Sequence, residues 1–407
     1  MEKKRYLELL KKYEESDLTF ISEHFPPVLQ NSNGVNIFDT EGNRYTDLTS
    51  FFGVSFSGHS QYFIKEEIDK GFYHGAGDFL PNIYKIELME KLSKLTGENF
   101  KGILLENGSD AIEFCLRTAF LYKKNRKFIS FKGGYHGTTL APLSVTHSSK
   151  FRKGFEDILP FEAVFFDFSI SSINKIIKYL SDNNVAGIII EPIQGRAGIK
   201  IPEKGFLKEI ESVSNEFNIP LIFDEIFTGI GKTGEIFAKD YFDIKPDMIA
   251  FGKALTSSFP LSACFGKPEI MDIWGENTGE ARFTMTFSGN PFFSRIALKN
   301  LKFMEDNDYD SKVKKIEVYF KENLMPLKEK HNKIIKDIRG IGVLWGIEFT
   351  PPVKGFEIVK QLFKKGFITL PSGEKGETIE IIPPFIIDIK ELESFIYSLE
   401  NILETFK

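Results

Sequence analysis

Residues 219–253 read IPLIFDEIFTGIGKTGEIFAKDYFDIKPDMIAFGK. Within this stretch two short apolar runs each lead into a charged residue, Asp224 closing LIFD and Lys253 closing IAFGK. The pattern extends outward from there. From about Gly102 to Gly266 the runs GILLE, RKFISF, AVFFD, AGIIIE, IPLIFDE, DMIAFGK and LSACFG alternate with helical patterns such as DAIEFCLRTAFLYKK, SSINKIIKYLSDN and GFLKEIESVSNEF. This alternation predicts an α/β fold with a mostly parallel sheet covered by helices. Ligands of such sheets bind at the carboxyl ends of the strands, so the residues just after each run are the ones that can carry chemistry.

The flanking segments have a different character. NGVNIFDTEGNRYTDL reads as a small hairpin sheet turning around Glu41 and Gly42. Beyond about Asp310 come charged helices, then RGIGVLWGIEF and IEIIPPFIID, each read as a strand. The two ends therefore predict a second, smaller α+β domain: residues 1–50 and 301–407 around a large domain of residues 51–300. No internal repeat, low-complexity tract or flexible linker interrupts this scheme.

Composition narrows the classes of function. The chain has 407 residues, 42% hydrophobic and 27% charged, which is the ordinary soluble range. Its 42 Phe residues accompany abundant Lys, Ile and Asn and read as compositional drift. A formal net charge of -5 offers no basic face for nucleic acid, so small-molecule ligands are expected. Two cysteines, Cys115 and Cys264, are too few for a disulfide framework or a structural zinc site; no metal is expected, and a reducing cytoplasm fits. The start, MEKKRYLELLKKYEESDLTF, reads as a surface amphipathic helix without the apolar core of a signal peptide. No apolar run approaches the roughly 20 residues of a membrane span.

At neighbouring strand ends, Asp224 and Lys253 can serve opposite sides of one bound ring. Read alone, either is equally a structural ion pair or a solvated strand end. Glu191 stands at a third strand end, in IIIEPIQG, and Tyr135 and His136 follow two glycines at a fourth, in ISFKGGYHG. In LLENGSDAIEFCLR a Gly-Ser turn opens a helix, whose unpaired N–H groups and positive dipole end favour a phosphate. Gly108 and Ser109 are the phosphate candidates; the alternative is that Ser109 is merely the N-cap. The stretch FTGIGKTG imitates a P-loop, but the glycine that motif needs five residues before GK[ST] is Ile226 here, which excludes a nucleotide-triphosphate site.

Taken together these motifs resemble the class III aminotransferases, the group of ornithine, acetylornithine and 4-aminobutyrate aminotransferases. The resemblance runs in order through GDFLPNIYKIELMEKL, ENGSDAIE, GGYHGTTLAPLSVT, EPIQGRAG, LIFDEIFTGIGKTG, FGKALTSSFPLSA, TFSGNP and RGIGVLWGIEF. It implies a fold-type I pyridoxal-5′-phosphate enzyme that moves an amino group between an amine or amino acid and a carbonyl acceptor. Lys253 looks like the lysine that holds the cofactor aldehyde as a Schiff base, and Asp224 like the partner of the pyridine nitrogen. Gly108 and Ser109 match the phosphate turn, Tyr135 and Ile226 the residues on the two ring faces, and His136 and Glu191 complete the surround. Thr286 resembles a residue that reaches the phosphate of a second subunit, which implies a homodimer with shared sites. The same scaffold also hosts aminomutases of the glutamate-1-semialdehyde type and decarboxylases.

Two departures from the family pattern bear on substrate. Glu380 stands where relatives acting on α-amino acids carry an arginine, and bidentate carboxylate recognition does not survive that exchange. Glu191, which the resemblance pairs with that arginine, is thereby expected to lack its usual partner. If a carboxylate is bound, Arg196, Arg282 and Lys375 are the cations available for it; alternatively Glu380 faces solvent on a strand slipped by one residue. The second departure is Phe227, where some relatives carry a glutamine near the cofactor's hydroxyl.

Overall fold

The computed structural model describes residues 2–20, 26–71, 80–97, 99–350 and 353–406. After a helix at Glu2–Tyr13, strands β1 (Leu29–Asn33), β2 (Asn36–Asp39) and β3 (Arg44–Asp47) form an antiparallel ladder. The β2–β3 turn is the one expected around Glu41 and Gly42. Asp39 closes it by accepting the N–H groups of Glu41 and Asn43, each at 2.9 Å, the turn-forming habit of a short carboxylate.

The central sheet holds β4 (Lys101–Leu105), β5 (Lys127–Phe131), β6 (Glu162–Phe166), β7 (Gly187–Ile190), β8 (Leu221–Glu225), β9 (Met248–Phe251) and β10 (Ser262–Gly266). Their spatial order is β4-β10-β9-β8-β7-β5-β6. Pairing is parallel from β9 through β8, β7 and β5 to β6, while β10 runs antiparallel to both β4 and β9. Every residue of β7, β8, β9 and β10 is buried. That is why these strands are unbroken apolar runs: helices cover the sheet on both faces, so alternation is absent. The helices Gly108–Lys123, Ile173–Asp182 and Phe206–Glu216 fall where the intervening patterns put them. Among the described residues no helix is long and apolar enough to cross a membrane.

A third sheet combines β11 (Ile335–Ile341), β12 (Leu344–Phe349), β14 (Leu370–Ser372) and β15 (Thr378–Ile381) in the order β11-β12-β15-β14. The short β13 (Phe367–Ile368) instead pairs parallel with β3, so the two ends of the chain share a sheet. RGIGVLWGIEF is two strands and not one. The chain reverses at Gly342, which holds φ +57, so β11 and β12 form a hairpin. IEIIPPFIID is strand only as far as Ile381, because Pro383 and Pro384 have no N–H to give to a ladder.

Gly342 is also packed against the loop that follows β8: a Cβ there would overlap the Lys232 carbonyl, and the neighbouring Val343 N–H donates to that carbonyl at 3.0 Å. Gly342→Ala combines a left-handed backbone with this overlap. It is expected to lower the melting temperature by about 4 °C or more, as measured by calorimetry or circular dichroism.

Candidate active site

Asp224 stands one residue before the end of β8 with only 4% of its surface exposed. A buried carboxylate needs donors, and it has two: the His136 ring, whose Nδ1 lies 2.7 Å from Oδ2, and the Ile226 N–H, 3.1 Å from Oδ1. His136 is itself fixed, because its backbone N–H donates to Thr146 Oγ1 at 2.9 Å and that hydroxyl donates to Gly137 O at 3.0 Å. Gly133, at φ +87, lets the chain turn sharply after β5 and bring Tyr135 and His136 back over the sheet edge.

Glu191, just after β7, has backbone N–H partners where the resemblance implies an arginine. Its carboxylate accepts the Tyr135 N–H at 2.8 Å and the Gly195 N–H at 3.2 Å, tying two loops together. Burial pushes this carboxyl up to about 7, and neighbouring Asp224 acts in the same direction, while His136 and the two N–H donors oppose them.

Lys253 follows β9 through Gly252 and holds φ +43, an unusual conformation for a residue with a side chain. Burial lowers the affinity of its amine for a proton; Asp224, Glu380 and Glu191 raise it, in that order, and Arg196 acts with burial. Its Nζ lies 4.8 Å from the centre of the Phe227 ring. Lysine and aspartate from neighbouring strand ends therefore converge, as the sequence pattern implies.

The helix Gly108–Lys123 is capped by Asn107, whose side chain accepts the Asp110 N–H at 3.1 Å. Ser109 is thus not the N-cap but part of the first helical turn, with Gly108. A Cβ on Gly108 would lie 2.9 Å from Ile226 Cγ2, so Ile226 packs directly over the start of the helix. The Tyr135 ring carries the Arg196 guanidinium at 4.8 Å, and the same guanidinium stands 5.0 Å from the Phe151 ring. Thr286 lies exposed on the turn after Met285, next to Phe287, whose N–H donates to Glu106 Oε1 at 3.1 Å.

Glu380 does not face solvent on a slipped strand. It pairs with Gly346 of β12 and Leu370 of β14 and is 5% exposed. Burial pushes its carboxyl up to about 7, against the pull of nearby Ser372, Lys253 and Arg196. The Ser372 hydroxyl leans toward it without completing a well-formed hydrogen bond. Of the three candidate cations, only Arg196 acts on both Lys253 and Glu380. Arg282 stacks on Trp274 at 5.4 Å and donates to its carbonyl, and Lys375 is exposed between β14 and β15. The GDF of GDFLPNIYKIELMEKL lies outside the described residues.

Some features of the site have no signal in the sequence. Gly195 is required because a Cβ there would come within 2.6 Å of the Phe227 ring, and one at Gly137 would collide with Ser109 Oγ. Cys115 and Cys264 also touch, with Sγ atoms 3.0 Å apart between the helix Gly108–Lys123 and β10. Their separation along the chain hides this.

A lysine and a carboxylate stand at adjacent carboxyl ends of a largely parallel seven-stranded sheet, beside a glycine-started helix, in an α/β fold. Residues 21–403 match the model of the aminotransferase class-III family, and the chain belongs to that family and is a transaminase. It is 30% identical to the acetylornithine aminotransferase of Methanocaldococcus jannaschii, each chain covered in full. It is 31% identical to ornithine aminotransferase 2 of Staphylococcus aureus, over 94% of each chain. Its fold is that of a transaminase from the marine bacterium Virgibacillus, with TM-score 0.89, 23% identity, and 99% and 100% of the two chains covered. An aminotransferase of Bacillus anthracis superposes with TM-score 0.88 over the full length of both chains at 25% identity.

The raised Glu380 carboxyl gives a signed prediction. Between its ordinary value of 4.5 and about 7 the folded chain keeps a proton that the unfolded chain has lost. This contribution to stability is complete below the lower value and disappears as pH rises through the upper one. Glu380→Gln, neutral at every pH, should therefore gain in melting temperature over the unsubstituted protein as pH is raised from about 5 to about 8. Parallel melting curves for the two proteins across that range would contradict it.

Proposed function

We propose that this transaminase works with pyridoxal 5′-phosphate held against Asp224, and that Lys253 is the amine that engages the cofactor's carbonyl. The observation that carries the reading is the placement of Lys253, just past β9, beside Asp224 on the adjacent parallel strand β8, next to the helix that begins at Gly108. The residues fit the cofactor. The 16-residue helix beginning at Gly108 offers unpaired N–H groups to a phosphate, and with no Cβ on Gly108 or Gly137 the backbone there can close around one. When bound, the cofactor supplies a ring that takes up electron density from the carbon bearing the transferred nitrogen.

The chain's own groups do the rest. Asp224, immobilised by His136 and the Ile226 N–H, presents a fixed negative charge that holds a proton on a ring nitrogen. Lys253 is poised to exchange protons, because burial favours its neutral form and three nearby carboxyl groups favour its charged form. An arginine there could not release its proton. Tyr135 and Ile226 would flank the ring, and Gly108, Ser109, His136 and Glu191 would hold its surround. Donor and acceptor are small amines or amino acids and carbonyl compounds. Arg196 receives a carboxylate, while Glu380 with Ser372 favours a substrate that presents a cationic or hydroxylated group, or no carboxylate, at that point.

A second copy of the chain completes each site in this reading. Ile83 (61% exposed), Ile86 (58%) and Phe287 (47%) lie on two segments that meet where the Asn82 side chain donates to the Gly289 carbonyl at 3.2 Å, which joins the helix Ile83–Thr96 to the turn that carries Thr286. Exposed apolar side chains of this size fit an interaction surface, and Thr286 on the same turn would reach a phosphate bound in the other copy. The two buried, free thiols fit a reducing cytoplasm.

Lys253→Ala is expected to abolish the yellow colour that borohydride bleaches, and all multiple turnover, while leaving the circular dichroism spectrum unchanged. Sustained transamination by that variant would sink the assignment. Replacing Thr286 with Glu should weaken cofactor binding, measured by fluorescence titration, by about tenfold or more, as a like charge is set against a phosphate. Unchanged affinity would contradict the shared site.

A further inference from the structure

Phe227 is the one large apolar side chain aimed at the Lys253 amine among the contacts described, and two features fix it there. Its ring centre lies 4.8 Å from Nζ, within the range of a cation–π contact. The ring occupies the space that a side chain at residue 195 would need: a Cβ on Gly195 would lie 2.6 Å from Cδ1 and 2.7 Å from Cε1. Gly195 is held in turn, because its N–H donates to Glu191 at 3.2 Å. The Lys253 backbone is held as well, in a left-handed conformation between the end of β9 and Ala254, which is fully buried.

We infer that Phe227 is a positioning residue for the Lys253 amine: its ring face stabilises the protonated nitrogen and so extends the pH range over which Lys253 carries a proton. The inference rests on Lys253 being the reacting amine. The face of an aromatic ring is electron-rich and attracts a cation without accepting its proton, and the attraction grows where water is scarce. A carboxylate in the same place would compete for the proton or lock the amine into an ion pair. The titratable groups that act on this nitrogen are Asp224, Glu380 and Glu191, which favour its charge, and Arg196 and Lys232, which oppose it. Burial opposes it most, so a contact that costs no ionisation of its own shifts the balance. Phe227 acts with the three acids, on a side of Nζ where residue 227 offers no hydrogen-bond donor.

The test separates the ring's electrostatics from its bulk. Phe227→Leu removes the face and keeps an apolar side chain; Phe227→Tyr keeps the face; pentafluorophenylalanine at 227 keeps the shape and reverses the polarity of the face. In cofactor-free protein, the pH dependence of Lys253 acetylation by acetic anhydride, followed by peptide mass spectrometry against exposed lysines, reads the Nζ proton directly, because only the neutral amine reacts. The midpoint should fall by about 0.5–1.5 pH units in the leucine and pentafluoro proteins and stay near the original in the tyrosine variant. The absorbance titration of the cofactor-loaded proteins should show the same order. If the pentafluoro protein, whose fold is least disturbed, titrates with the unsubstituted one, the inference is overturned. A protein that never takes up the coloured cofactor would instead overturn the role of Lys253, while the acetylation midpoints would still decide the role of Phe227.

Discussion

A carboxylate at the end of a strand buried on both faces must find its hydrogen-bond donors inside the protein, because isolating such a charge from water costs several kcal/mol. Asp224 meets this requirement with the His136 ring and the Ile226 N–H, and much of the site's architecture follows from it. To reach Asp224, His136 must come back over the sheet edge from the end of β5. That return needs the glycine turn at Gly133 and the anchoring of His136 by Thr146. The same loop delivers the Tyr135 N–H to Glu191, and Glu191 holds Gly195, against which Phe227 packs. The position of the aromatic ring over Lys253 is thus coupled to the satisfaction of one buried carboxylate.

The next residue along β8 shows the complementary use of the same strand. Because successive side chains leave a strand on opposite faces, Glu225 points away from Asp224 and supports the fold. It accepts the N–H groups of Ala238 at 2.6 Å and Lys239 at 2.8 Å and the Thr228 hydroxyl at 3.2 Å. Burial still pushes its carboxyl up to about 7. Lys232, the lysine of the P-loop imitation, belongs to this structural layer: fully buried, it donates to the Gly229 carbonyl at 2.8 Å, and burial drives its amine well below the ordinary lysine range. Its backbone carbonyl receives Val343, so this loop also joins the central sheet to the β11–β12 hairpin.

Asp224 and Lys253 were legible in the sequence for a local reason: an apolar run that ends in a charge marks the edge of a buried sheet, and that edge is where ligands go. The seven central strands were legible for the same reason. What local pattern could not supply was pairing. Between Arg339 and Glu348, RGIGVLWGIEF has no polar side chain to mark a turn, and a Cβ at its reversal, Gly342, would overlap the Lys232 carbonyl of a distant loop. β15 is buried at every position, so alternation could not say which way Glu380 points; its register comes from Gly346 and Leu370 on the flanking strands. The contact between Cys115 and Cys264 depends on β10 being inserted antiparallel beside β4, a choice of topology that neither segment encodes alone.

The polar groups around Lys253 divide according to whether the chain itself satisfies them. Asp224, His136 and Glu191 have internal partners with good geometry, so they are held in position before any ligand arrives. Glu380, Ser372 and Arg196 are different. Among the described residues Glu380 has no cation within ion-pair distance, the Ser372 hydroxyl lacks a well-formed partner, and Arg196 rests on aromatic faces instead of a carboxylate. Leaving the buried Glu380 and Ser372 incompletely paired costs stability, and such a cost persists where a bound molecule supplies the missing bonds; Arg196 stands exposed beside them. On the proposed reading the first set performs the chemistry common to transaminases and the second distinguishes one substrate from another. Selectivity in this enzyme would then change by substitution at residues 196, 372 and 380, without disturbing the hydrogen bonds that hold Asp224.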